Sequence, residues 1–200
     1  MNKNSITKEQ VEKLVLPKFI NRKANRRFLE TVPNRNFLDL SIIYYIPLDN
    51  YSKVFVINEE LIQQLEITEK ELYRWANKNQ KNDSAVFSLM NFLSGKEENL
   101  ISEQNLNEPM YLLTNKNLLF GASMVLNKKM MEEISLKMND DVLMIPSSVH
   151  EWILLPFHGF DTEEIDETIN FVNQTTVGEE EILSNHKYVY WRDLKKMKIA

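Results

Sequence analysis

The sequence predicts an α+β fold: an antiparallel or mixed sheet built from two strand–strand–helix runs, with helices packed on the sheet. Three observations predict it. Short apolar runs come in pairs joined by turn-length connections, which cannot link parallel neighbours. Each pair is followed by a segment whose apolar residues repeat at helical spacing. The prolines, at 17, 33, 47, 109, 146 and 156, stand between or at the ends of the apolar runs and punctuate them. A chain of 200 residues buries roughly 70% of its extended surface on folding. It is read as a single domain, residues 1–200, with any subdomain boundary in the weakly apolar loop 94–109.

In the first half, Val11 to Ile20 is rich in β-branched and apolar residues, and Asn21 to Glu30 reads as a short basic helix stopped before Pro33. Phe37 to Ile46 is almost continuously apolar, and Lys53 to Ile57 returns after a turn at 47–52, forming a hairpin. Asn58 caps a helix through Leu65. Thr68 with Glu71 makes a capping box for a helix to Asn79, whose Leu72, Trp75 and Ala76 share one face. Asp83 to Leu93 reads as a further helix, with Val86, Phe87, Met90 and Leu93 facing inward.

The second half opens on a second expected hairpin, Met110–Leu113 with Leu118–Leu126. A helix from Lys128 to Met138 follows, with Met130, Met131, Ile134 and Met138 as core filler on one face. Asp141–Ile145 and Val149–Leu155 read as strands around Pro146-Ser147-Ser148. Asp161 and Glu164 open a helix from Thr162 to Asn173, and Lys187–Arg192 closes the chain as a strand. The apolar faces of 37–46, Leu112, Leu113, 142–145 and 153–155 are expected to share one core.

Charge and composition narrow the function classes. The net charge of −5 speaks against a general nucleic-acid binder, which needs a basic surface. It is unevenly spread: residues 18–35 hold six basic residues against Glu30, whereas 161–181 hold eight acidic residues and no base. Cysteine is absent, which excludes disulfides, thiolate zinc sites and a cysteine nucleophile. No apolar leader stands near Met1 and no run has membrane-spanning length, so a cytoplasmic protein is expected. With four glycines there is no phosphate-binding loop, and His150, His158 and His186 lack ligand spacing. Neither a metal nor a cofactor is expected.

The densest polar cluster is Pro146-Ser147-Ser148-Val149-His150-Glu151. On an extended backbone Ser148 and His150 project from one face, the only local pair able to act as nucleophile and base. No nucleophile elbow surrounds the serine, and Leu154 stands where a zinc-protease helix needs its second histidine. The competing reading is structural: serines beside a proline bond nearby backbone groups and turn one strand into the next. The mixture of Tyr44, Tyr45, Tyr51, Phe55, Tyr73, Arg74 and Trp75 offers either a binding face or, as such residues usually do, core.

Several blocks resemble a bacterial domain-of-unknown-function family in the same order: Phe37–Leu40, Ile67–Tyr73, Tyr111–Asn115, Phe120-Gly121-Ala122, Ile145–Glu151 and Val172 through Ser184. The Leu/Ile-Pro-Ser-Ser-x-His-Glu stretch is the most specific of them. The resemblance implies no enzyme class, but it does imply an association with mobile genetic elements. From it and the acidic charge, the leading expectation is a non-enzymatic binding protein, an anti-CRISPR-like inhibitor of an RNA-guided nuclease or its guide. Its contact residues would be Glu163, Asp166, Glu167, Glu179 and Glu180, set against a basic cleft. Two alternatives stand beside it: a hydrolase acting on nucleic acid through His150 with Ser148 or Glu151, and a regulatory or toxin–antitoxin partner.

Overall fold

A computed structural model of the chain describes residues 6–159, 162 and 164–200. The fold is α+β, with antiparallel sheets, and the chain divides into two compact units, Met1–Asn82 and Asp83–Ala200. The division falls at the end of a helix, and the loop 94–109 runs within the second unit.

The first unit is organised by one long strand. Helix α1 (Lys8–Leu14) starts on a Thr7–Gln10 capping box, and β1 (Leu16–Asn21) follows at once, so the apolar stretch 11–20 is divided between two element types. After a four-residue helix α2 (Arg26–Leu29) and a short β2 (Arg35–Phe37), β3 (Leu40–Leu48) pairs with β1 on one side. Its other side is shared by β2 at the start and β4 (Lys53–Val56) at the end. The β3–β4 turn needs positive φ at Asp49, Asn50 and Tyr51, a conformation that Asp and Asn tolerate better than most residues. One face of β3 packs Ile43 with Ile20 and Val32. From the opposite face Tyr44 donates to Glu69 of the helix described next. Both faces are therefore covered, which is why 40–46 carries no polar alternation.

Helix α3 (Glu59–Gln64) is capped by Asn58, and α4 (Glu69–Gln80) by the Thr68–Glu71 box, as the sequence predicts. Leu72, Trp75 and Ala76 are buried. Glu69 also takes a two-pronged bond from Arg35, at 3.0 and 2.7 Å, and the Arg35 guanidinium carbon stands over the Tyr73 ring, 4.1 Å from its centroid. Burial, and then the bond to Glu69, push the Tyr44 hydroxyl well above its ordinary pKa. Tyr44, Tyr45 and Trp75 are core residues.

The second unit is a six-stranded sheet in the order β10-β9-β7-β8-β6-β5. These strands are β5 (Ser84–Ser88), β6 (Tyr111–Asn115), β7 (Val142–Pro146), β8 (Trp152–Pro156), β9 (Tyr188–Trp191) and β10 (Lys196–Ile199). Leu143, Leu155 and Val189 line one face with Ile165 of α7 (Ile165–Thr175). Further along that face, Ala85, Phe87 and Leu112 meet Leu89 and Phe92 of the short helix α5 (Leu89–Leu93). The other face meets the 3-10 helix Gly121–Leu126, through Ser84 on Met124 and Trp152 on Ala122. Helix α6 (Lys128–Met138) buries Met130, Met131, Ile134 and Met138, as their spacing predicts.

Several expectations are corrected here. Asp83–Leu93 is not one helix: its first half is edge strand β5, because pairing with β6 buries Val86 and Phe87 while Met90 and Leu93 stay exposed. Leu118–Leu126 is not a strand. Leu118 and Phe120 take positive φ, the backbone continues as a 3-10 helix, and β6 pairs instead with β5 and β8. The expected strand 37–46 divides at Leu38, which takes positive φ, into the end of β2 and β3, both in the first unit's sheet, whereas the remaining expected core residues lie in the second unit's sheet. Helix α7 starts at Ile165 with no side-chain cap from Glu164, and Asp161 lies outside the described residues. The loop 94–109 straps the second unit: Asn99 accepts the Val86 N–H at 3.0 Å and shields the β5 edge.

Candidate functional site

The β7–β8 connection is where the sequence concentrates its polar chemistry. Pro146 pairs with Trp152, leaving Ser147–Glu151 as the loop. Ser148 closes it: its hydroxyl donates to Glu151 Oε1 at 2.7 Å and accepts the His150 backbone N–H at 3.0 Å. Because the loop turns, the extended-chain arrangement in which Ser148 and His150 share a face does not form. The imidazole looks elsewhere. Its Nδ1 accepts the Phe120 backbone N–H at 3.1 Å, which leaves the ring proton on Nε2, 3.4 Å from Glu181 Oε1. The ring also stacks on Phe120, with centroids 5.3 Å apart.

Around this loop four segments distant in sequence interlock. Thr114 Oγ1 donates to the His150 carbonyl at 2.8 Å, Trp152 Nε1 to the Ala122 carbonyl at 2.8 Å, and the Val149 N–H to the Glu181 carbonyl at 3.0 Å. Gly121 passes so near that a Cβ would stand 2.3 Å from Thr114 Oγ1. The blocks at 111–115, 120–122, 145–151 and 181–184 thus meet at one place. This chain belongs to the family of unknown function DUF5688, which matches residues 2–192. No curated protein and no solved structure matches it.

In this structure the polar groups of the Ser148-Val149-His150-Glu151 turn serve one another and the backbone. Ser148 and Glu151 are in hydrogen-bond reach, and the His150 ring is directed at Phe120 and Glu181. The partners Phe120, Glu181 and Thr114 are not visible as a site in the sequence, since each lies about thirty residues or more from His150; their one signal is membership of the same family blocks. Among the described residues no three His, Asp or Glu side chains converge as a metal site requires, and no helix is long and apolar enough to cross a membrane.

The acidic residues separate by role. Asp166 is committed internally, accepting the Lys187 backbone N–H at 2.9 Å and lying 3.3 Å from the Lys187 ammonium. Glu167 on α7, and Glu179 and Glu180 in the turn after it, are exposed. Glu181 stands between the two groups, its carboxylate near His150. Glu163 lies outside the described residues.

Proposed function

We propose that this chain is a non-enzymatic protein-binding domain that engages a basic partner through the acidic segment of its second unit. One observation carries the reading: Glu167, Glu179 and Glu180 are exposed and form no ion pair among the described residues, in a stretch of chain without lysine or arginine from 161 to 181. Exposed like charges carried along one segment attract an oppositely charged cleft and speed encounter with it. The bonding of Ser148, His150 and Glu151 to one another and to backbone supports the same reading, since it gives those residues a structural task. The expected association with bacterial mobile elements, which the sequence blocks imply by resemblance, leads us to an RNA-guided nuclease as the partner, whose guide–target duplex runs in a positively charged channel. The chain would then act in the cytoplasm as an anti-CRISPR-like inhibitor.

The test is target cleavage by guide-loaded nucleases of the host, titrated with this protein. Inhibition that competes with target DNA is expected, and the triple variant Glu167→Lys, Glu179→Lys, Glu180→Lys should relieve it and flatten its salt dependence without changing the melting temperature. Unchanged affinity of that variant at low salt would remove this surface from the interface. A hydrolytic activity lost in a stably folded His150→Ala protein would overturn the reading in favour of a hydrolase. A stable protein that co-purifies and is neutralised as a toxin would favour the regulatory alternative.

A further inference from the structure

Helix α7 and the β7–β8 hairpin bound a cavity of about 210 Å³. Ile145, Pro146 and Ile153 form its sheet wall, and Ile165, Ile169 and Val172 its helix wall. Asn173 at its margin turns its amide away, onto the Ser184 carbonyl and the Asn185 side chain. Thr168 on the helix side spends its hydroxyl on the Glu164 carbonyl at 3.1 Å, and Ser147 adds one more hydroxyl to an otherwise apolar lining, so the cavity selects chiefly by shape and apolarity. Its size is informative: ~150 Å³ suffices for a benzene ring, whereas drug-sized ligands occupy roughly 300 Å³ or more. One large side chain fits.

The helix says what surrounds that side chain. Residues 165, 168, 169 and 172 make one stripe at helical spacing, and the neighbouring stripe is Glu164, Glu167 and Phe171. Both glutamates are exposed, and Phe171, at 66% exposure, is the most exposed aromatic among the described residues. The opposite flank is tied inward through Asp166 to Lys187 and Asn173 to Ser184. An apolar socket flanked on its helix by an exposed stripe of acid and aromatic calls for an apolar anchor set among cations, which Phe171 can also receive through its ring face.

We propose that this groove is the anchor pocket for one large apolar side chain, Phe, Leu or Met, carried on a basic segment of a partner protein whose Lys or Arg residues meet Glu164 and Glu167. This rests on the acidic-surface reading above and adds the pocket to it. The chain's own Arg26-Arg27-Phe28, with Phe28 40% exposed, has similar chemistry. Its insertion into another copy would be a head-to-tail contact, which closes only if the rotation happens to form a ring and otherwise runs on as a filament. A foreign segment is the occupant proposed.

The full chain, labelled at isoleucine δ1 methyls, would be titrated with short synthetic peptides: Lys/Arg-flanked with a central Phe, the same with Ala, the Phe peptide with Gln in place of each cation, and residues 21–31 of this chain. The basic Phe peptide should shift the Ile145, Ile153, Ile165 and Ile169 methyls, and the Ala peptide should bind roughly tenfold or more weakly. Thr168→Trp, narrowing the mouth from an exposed position, should abolish those shifts at an unchanged melting temperature. The peptide pair tests the pocket in the wild-type protein even if that variant does not fold. Equal binding of the Phe and Ala peptides, both weakened by Glu167→Lys, would overturn the pocket and leave the acidic surface standing. Equal, salt-insensitive binding of the Gln-flanked Phe peptide would overturn the basic occupant and remove support from the acidic reading. Tightest binding by 21–31, with concentration-dependent mass in sedimentation, would assign the groove to a second copy and overturn the proposal.

Discussion

At Gly121 the backbone runs so close to its neighbours that no side chain fits. A Cβ there would meet Thr114 Oγ1 at 2.3 Å, the Asn115 nitrogen at 2.5 Å and the His150 carbonyl oxygen at 2.7 Å, and two of those atoms are backbone and cannot swing aside. Gly121→Ala should cost roughly 3 kcal/mol or more of stability, since the atoms it displaces hold the β7–β8 loop. Urea unfolding measures this, and a loss under about 1 kcal/mol would show that the turn relaxes. A second residue-scale expectation concerns His158, whose Nδ1 lies 2.5 Å from Asp140 Oδ1. The hydrogen bond to Asp140, with the charges of Asp140 and Asp141 adding to it, raises the imidazole above its ordinary value. The folded state thus holds that proton more tightly than the unfolded state does. Its contribution is complete below about pH 6.5, the unfolded value, and is lost as pH rises through the raised folded value. His158→Gln should lower the melting temperature at acid pH and converge on wild type at alkaline pH. A difference that is constant across pH would assign its effect to packing instead.

Elements show where local signals suffice. The Thr68–Glu71 box stands as expected, with the Glu71 N–H on Thr68 Oγ1 at 3.3 Å and the Thr68 N–H on Glu71 Oε2 at 2.8 Å. Thr68→Ala should cost about 1 kcal/mol, confined to helix α4. Equal stability of the variant would mean that Trp75 and Leu72 hold the helix without its cap. Helix α6 and the hairpins β3–β4 and β7–β8 were likewise legible, because each is specified by residues within a dozen positions. Strand β5 was not. Val86, Phe87, Met90 and Leu93 fit a helical stripe, and only the strand at 111–115, more than twenty residues on, decides that 84–88 extends to pair with it. The 3-10 helix after Phe120 was hidden for the same reason: its backbone turns at Leu118 and Phe120, non-glycine residues at φ 54° and 56°, a conformation the surrounding contacts must hold.

On the scale of the whole molecule, each unit has its own sheet, and Leu143 is the sharpest probe of the second. It is fully buried in β7, opposite Leu155 of β8 on one side and Val189 of β9 on the other. Leu143→Asp buries a charge with no partner and should cost several kcal/mol. Hydrogen exchange should then lose protection throughout 83–200, while the β1–β3 amides keep theirs. Protection lost together in both units would show that they unfold as one cooperative body.

By itself the sequence determined the α+β class, the hairpins β3–β4 and β7–β8, the capped helices α3 and α4, and the acidic character of 161–181. These depend on spacing, capping and charge, which act over a few residues. Tertiary structure alone decided that the strands sort into two sheets, that β5 is a strand, and that His150 turns to Phe120 and Glu181 while Ser148 turns to Glu151. It also decided which acids face outward: Asp166 and Glu167 are adjacent in the chain, yet one is bound to Lys187 and the other is exposed. A composition can state how much charge a segment carries. Which of those charges remains available is set by the neighbours that folding brings to it.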